Sequence, residues 1–324
     1  MKRRNALTAM LSALLWPPSV LAQRQPMPVI GVLVTHPPLT DPVFDYLRAG
    51  LKKFGYVDGK NIKIEARTAH GQLERVPGLA EELVRLRPAA IIVVNELAVR
   101  AVMKATSTIP IVMVGHLAND PVALKLIESY ARPGGNVTGL FSVDAVLLPK
   151  RLELLKEALP GLSRVAVFWD SSFGRQQLDE LRRAAQSLTL ELQPIDLRSA
   201  GDLEPAFKTA KRNNAEALLF ALSPLVWVHK GRVAQLAIEA KLPSMSEYFQ
   251  YVEVGGLMSY GSSNPDNYAR AVYYVDRLLK GAKVADLPVE QVSTYKLWVN
   301  LKTAKALGIK IPESVLVRAD EVIR

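Results

Sequence analysis

The chain contains no cysteine. That absence excludes a disulfide framework, a thiol nucleophile, cysteine metal sites and a lipid-modified N-terminal cysteine. Histidine is scarce as well. His36, His70, His116 and His229 are the only four, and none stand in the H-E-x-x-H spacing that puts two imidazoles on one helix face for zinc. No G-x-S-x-G elbow follows a strand-like run, so the nucleophile signature of an α/β-hydrolase is missing. Glycine punctuation is present without phosphate-loop spacing: Gly134, Gly135 and Gly139 do not form G-x-G-x-x-G after a strand. Gly55 and Gly59 are one residue too close for a P-loop, and Asn61 replaces its hydroxyl. These absences argue against a metal enzyme and against the common nucleophilic hydrolases.

Long apolar runs are also lacking. The N-terminus has Lys2, Arg3 and Arg4, an apolar stretch from Ala6 to Trp16, then Pro17, Pro18 and the small-residue ending at Ala22. An 11-residue apolar core is too short to span about 30 Å of hydrocarbon, and the basic, apolar, small-residue order is that of a secretory signal peptide. Residues 1–22 are read as that signal, cleaved between Ala22 and Gln23. The short core favours the general secretory route, and the paired Arg3 and Arg4 leave twin-arginine export open. Elsewhere the richest runs, Ala89 to Val94 and Ile109 to Val114, end at polar residues. The expected protein is therefore periplasmic, exported and without a lipid anchor. In a compartment that oxidises thiols, a chain without bridges must rely on its core; 324 residues, 49% of them apolar, suffice for about two domains.

Of the 41 basic residues three lie in the leader, leaving 38 against 31 acidic ones, a net +7. The charges interleave on helix faces, as in Arg75, Glu81, Glu82, Arg85 and Arg87. No basic block with interleaved aromatics suggests a nucleic-acid partner.

The remainder alternates short β-branched runs with helical periodicity. Strands are expected at Val29 to Val34, Ile62 to Ala66, Ala90 to Val94, Ile111 to Val114, Val165 to Trp169 and Ala217 to Leu222. Most are continuous apolar runs, as parallel strands covered on both faces require. Helices are expected at Phe44 to Phe54, Leu73 to Leu86, Ala98 to Lys104, Gln177 to Leu188, Leu203 to Arg212 and Val233 to Glu239. Another begins at Asn264 as cap, with Pro265 in its first turn and Gly281 at its end. Its face of Tyr268, Ala271, Val272, Val275, Leu278 and Leu279 is a core-packing stripe. The β-α alternation is that of open doubly wound sheets. The segment from Ala131 to Gly139 reads as the approach to a crossing between two such units.

Open parallel sheets bind ligands at the carboxyl ends of their strands. Five of these strands end in short polar groups: Thr35 and His36; Asn95 and Glu96; His116 and Asp120; Asp170 and Ser171; and Ser223. Such groups, with helix N-terminal amides behind them, suit a carboxylate, hydroxyls or an amine. Taken singly, each reads equally as a helix cap.

The chain resembles the ABC transporter substrate-binding proteins of the tryptophan/tyrosine-type uptake group, with the type 1 periplasmic binding protein fold. The resemblance spans nearly the whole mature chain. It is carried in order by GLKKFGYVDGKNI (50–62), LAEELVR (79–85), TSTIPIV (106–112), ARPGGNVTGL (131–140) and KRLELLK (150–156), then GGLMSYG (255–261), YVDRLLKGA (274–282), DLPVEQ (286–291), NLKTAKALG (300–308) and RADEVI (318–323). It implies two Rossmann-like α/β lobes with parallel sheets and three interlobe crossings, residues 27–142 with 262–285 in the first lobe and 143–261 with 286–324 in the second. It implies a monomeric binding protein, not an enzyme, without cofactor or metal. Its partners would be a small-molecule ligand, an amino acid or related metabolite, and an ABC permease in the inner membrane. Glu247, Tyr248 and Tyr260 join the cleft by this resemblance, the two tyrosines as apolar walls. The sequence departs from the commoner pattern at Asn95, Glu96 and His116; a carboxylate at Glu96 would favour a ligand amine or hydroxyl over a bare anion. A periplasmic sensor subunit for a membrane receptor, or an exported enzyme on the same fold, are the alternative readings.

Overall fold

The computed structural model describes residues 27–35, 38–117, 119–171, 176–221 and 223–324. The expected export leader with its expected cleavage point at Ala22 and Gln23, and His36, lie outside the described residues. The chain begins β1 (Val29–Val34), α1 (Val43–Lys53), β2 (Lys63–Thr68), α2 (Val76–Arg85), β3 (Ala90–Asn95), α3 (Glu96–Ala105), β4 (Ile111–Leu117) and β5 (Val137–Val143). It continues with α4 (Leu148–Ala158), β6 (Arg164–Trp169), α5 (Gln176–Ser187), β7 (Glu191–Asp196), α6 (Leu203–Arg212), β8 (Ala217–Phe220), α7 (Pro224–Val228), α8 (Lys230–Glu239), β9 (Ser244–Ser246), α9 (Phe249–Glu253) and β10 (Met258–Ser262). The last elements are α10 (Asn264–Leu279), β11 (Glu290–Gln291), β12 (Tyr295–Asn300), α11 (Leu301–Leu307), α12 (Glu313–Arg318) and β13 (Glu321–Ile323).

These strands form two sheets. The first has the order β11-β5-β4-β3-β1-β2 and the second β13-β12-β10-β9-β8-β6-β7. Every pairing in the first sheet is parallel; in the second, β10 with β12 is antiparallel. The continuous apolar runs end up where their composition requires. Ile91, Val93, Ile111 and Met113 face one layer, built on α2 and α3, while Ile30, Val32, Val34, Ile92 and Val112 face another, built on α1 and α10. The second sheet is likewise covered on both faces, by α4, α5 and α11 on one and by α6, α8 and α9 on the other. Each fully buried Leu or Val in these layers contributes about 1.5–3 kcal/mol.

The chain passes between the sheets three times: after β5 through 144–147, between β10 and α10 at Ser263, and between β11 and β12 through 292–294. The architecture is thus two Rossmann-like α/β units with three crossings. Two sequence expectations are corrected. The tail from 286 onwards is shared, because β11 adds to the first sheet beside β5, with Glu290 opposite Leu140. The Thr138 hydroxyl, donating to the Leu287 carbonyl at 2.7 Å, holds that segment in place. The cap of α10 is Ser263, whose hydroxyl accepts from the Asp266 amide at 3.5 Å, so Asn264 is already inside the helix.

Helix α10, which follows the second crossing, is fastened to the first sheet through α1. A methyl group at Gly50 would come within 3.0 Å of Val272 and 3.4 Å of the Ala269 backbone. Glycine in a helix costs up to about 1 kcal/mol, and here it permits the two helices to touch.

Candidate functional site

At the carboxyl edge of the first sheet, Asn95 ends β3 and caps α3, its Oδ1 accepting from the Ala98 amide at 3.0 Å. Its Nδ2 donates to the Thr35 hydroxyl, at the end of β1, at 2.6 Å. Two of the expected residues are therefore joined directly. His116 lies in β4, paired in register with Asn95 on one side and Ser142 on the other. The register shifts between Val93 and Asn95, opposite Gly115, which has φ +122°. A bulge of this kind re-aims the residues that follow.

Two expected carboxylates are engaged locally. Glu96 forms an ion pair with Arg100 at 2.7 Å, one helical turn on, and Arg100 also donates to the Leu124 carbonyl. Asp120 accepts from the amides of Val122 and Ala123 at 2.8 and 3.1 Å and from the Tyr130 hydroxyl. The Tyr130 bond, against the opposing effect of partial burial, holds its carboxyl below the usual range. Asp120 therefore shapes its own loop.

In the second sheet, Asp170 and Ser171 follow β6. The Ser171 amide and hydroxyl both donate to Asp196, at the end of the neighbouring β7, at 2.9 and 2.8 Å. Burial would push the Asp196 carboxyl up; the Ser171 bonds and the Arg198 guanidinium outweigh it and hold the group low. Ser223 is wholly buried and caps α7, accepting from the Val226 amide at 3.4 Å. The short helix it starts brings Trp227 edge-on to Tyr248, at the start of α9, with centroids 4.6 Å apart and planes at 72°. Lys230 sits over the Trp227 ring at 4.7 Å. The expected aromatic wall at Tyr248 is thus a pair. Tyr260 turns its ring toward the α4 layer and toward Tyr295, 6.0 Å away. Its carbonyl accepts from Arg151 Nε at 2.7 Å.

Arg151 and Trp227 are the residues that sequence reasoning missed. Arg151 is fully buried, and burying a guanidinium is expensive unless it is paired. A signal existed, since Arg151 stands on the stripe of Leu148, Leu152 and Leu155 and so had to face the core. For Trp227 the signal was the Ser223 cap followed by Pro224 in the first helical turn, which marks a helix starting just after the strand and so puts Trp227 in its first turns.

Polar groups thus gather at the strand ends of both sheets, with an aromatic pair on the second. Hydrogen-bonding groups beside an aromatic pair have the chemistry that small-molecule sites use. Among the described residues no group of three or more His, Asp or Glu could hold a metal ion, and no helix is long and apolar enough to cross a membrane.

Residues 29–323 match the profile of a family described as ABC transporter substrate binding protein. A curated relative, the tyrosine-binding protein of Clostridioides difficile strain R20291, is 27% identical over 283 residues, 87% of this chain and 80% of that protein. Among solved structures, the ABC domain in complex with L-Trp from Streptococcus pneumonia superposes with a TM-score of 0.79 at 28% identity, over 91% of this chain and 99% of that one. The ligand-free, open structure of a Clostridium difficile substrate binding protein with adhesive properties, with the same two coverages and 25% identity, gives 0.63.

Proposed function

From the premise that this chain belongs to the ABC transporter substrate binding protein family, we propose that it is the periplasmic component of an importer that binds an amino acid, preferentially an aromatic one, between its two lobes. The observation that carries this reading is the edge-on pair Trp227 and Tyr248 at the strand ends of the second sheet, on the side where open α/β sheets take ligands. An aromatic ligand ring completes such a pair, and the Thr35 and Asn95 side chains of the first sheet supply hydrogen-bonding groups for its polar end. The relatives named for tyrosine and bound to L-Trp support the same class.

Binding works by closure about the three crossings. A ligand that touches both lobes only in the closed form favours that form by its differential affinity. The better superposition on the L-Trp complex than on the open, ligand-free relative supports reading this conformation as the closed one. In this account the first lobe is built on the sheet of β1–β5 with β11, and the second on the sheet of β6–β10 with β12 and β13. The closed monomer is presented to an inner-membrane ABC permease, and no chemistry is performed on the ligand. The leader of residues 1–22 supports export.

The test is native mass spectrometry of the mature protein followed by a thermal-shift screen of amino acids. A ligand that binds only the folded state raises Tm, by about 2.7 kcal/mol of stability at a hundredfold excess over Kd. The expected result is a stabilisation by L-tyrosine or L-tryptophan that L-alanine does not give. Conversion of the ligand, or stabilisation by no amino acid, would overturn the proposal.

A further inference from the structure

Gln250, in α9, is 4% exposed, yet among the described residues neither polar atom of its side-chain amide completes a hydrogen bond. A buried amide left in that state is costly, and a group that can both donate and accept removes the cost. The Tyr46 hydroxyl, on α1, is such a group. It comes near enough to the Gln250 amide to act on it, but stops short of a full bond.

The two residues are carried by different sheets. Tyr46 stands on α1, whose Phe44, Leu47 and Leu51 are buried with Ile30, Val32 and Val34 of β1. Gln250 stands on α9, which is fixed to the second sheet by Phe249, stacked on Trp298 of β12, and by Tyr251, edge-on to Phe220 of β8, with centroids 4.8 and 5.2 Å apart. Helices α1 and α9 follow the carboxyl ends of β1 and β9, so both start at the edges where the ligand is placed above. Asp45 on α1 and Glu253 on α9 both lie close enough to act on the Tyr46 hydroxyl, a second sign that the helices face each other there.

We propose that Tyr46 and Gln250 are positioning residues for ligand capture, a latch between the lobes that sets affinity without touching the ligand. The latch rests on the closure about three crossings proposed above. When the lobes part, water satisfies the Gln250 amide. When they close, that water is lost, and the Tyr46 hydroxyl takes its place once one side chain rotates to complete the bond. A closed form with the amide met is more populated than one with it buried and unmet, and apparent affinity scales with the populated fraction of the binding-competent form.

The test uses the absence of cysteine from the chain. In the mature protein carrying Asp45→Cys and Glu253→Cys, the introduced thiols, one on each helix, have no competitor. The rate at which a short bismaleimide links them in the ligand-free protein reads the closed population. Affinity for L-tyrosine is measured calorimetrically without those two substitutions. Tyr46→Phe, which leaves the buried amide unmet, is expected to slow linking and to weaken binding, each about tenfold. Gln250→Met, similar in length but without the amide, is expected to change both little. The double variant should recover most of what Tyr46→Phe loses, because exchanging both partners for apolar groups leaves nothing unmet, and a merely structural role would give additive losses. Far-UV circular dichroism and a cooperative melt confirm that each variant is folded. Linking at the parental rate in Tyr46→Phe, or a double variant as weak as Tyr46→Phe alone, would each overturn the proposal. If Gln250→Met does not fold, the linking rate of Tyr46→Phe decides. If no amino acid binds, the proposed function fails, while linking in the ligand-free protein still decides the latch.

Discussion

Asn95 Nδ2 donates to Thr35 Oγ1 at 2.6 Å, tying the ends of two adjacent strands at the edge where a ligand is expected. The same Asn95 side chain caps α3 through the Ala98 amide, so one residue orders both the helix start and the end of β1, which the proposed function places at the ligand. Asn95→Ala is expected to cost about 1 kcal/mol of stability from the lost cap and to weaken amino-acid binding further, because the bond from Asn95 that orients the Thr35 hydroxyl is lost. Asn95→Ser, which retains capping ability, should recover most of the stability and little of the affinity. Denaturant titration and calorimetry on the two variants measure the split.

Trp227 and Tyr248 contact each other edge-on, an arrangement worth about 0.5–1.5 kcal/mol beyond burial. Trp227→Ala should therefore lower affinity for L-tyrosine or L-tryptophan by about tenfold, the equivalent of about 1.4 kcal/mol, while any weak binding of small aliphatic amino acids changes less. Comparing the two ligand classes by intrinsic fluorescence or calorimetry separates ring recognition from a general loss of fold.

Glu216 accepts from the Ser163 and Arg164 amides at 2.7 and 3.0 Å and pairs with Arg164 at 2.5 Å. The Ser163 amide bond, reinforced by Arg164 and opposed by burial, holds its carboxyl below the usual range. A depressed carboxyl stabilises the fold fully above its unfolded-state value and loses that contribution as pH falls through the folded-state value. Glu216→Gln is thus expected to lower Tm at neutral pH, with the difference from the parent shrinking as the medium is acidified below the ordinary glutamate range. A pH-independent difference would contradict the assignment.

Gly139 lies in β5 with φ +115°, and a methyl group there would stand 2.2 Å from the Met113 carbonyl oxygen on the adjacent strand. Neither backbone can yield without breaking the ladder. Gly139→Ala is expected to destabilise by at least about 3 kcal/mol, seen as loss of the cooperative melt or as insoluble expression.

Much of this fold was legible because its strands are buried on both faces. The run from Val29 to Val34 is β1 to the residue, and the helix from Leu203 to Arg212 is α6 to the residue. Less legible were strands whose composition is polar: Glu191–Asp196 forms β7 at the sheet edge, and Ser244–Ser246 forms β9 in three residues. Their pairing partners, not their own pattern, make them strands. Strand-end polarity marked residues that the structure places at the carboxyl edges of both sheets, but it could not separate ligand groups from local caps. Glu96 and Asp120 fit the pattern and are engaged with Arg100 and with Tyr130. Arg151 stands on the buried stripe of Leu148, Leu152 and Leu155, a position legible from its spacing but at odds with the charge it carries.

Scattering from the mature protein in solution, measured free and with saturating L-tyrosine, tests the central claim most directly. The account predicts a ligand-bound profile that matches the one calculated from the described structure, and a free protein with a larger radius of gyration. Identical profiles under conditions where calorimetry shows the site filled would contradict closure of two lobes over the ligand.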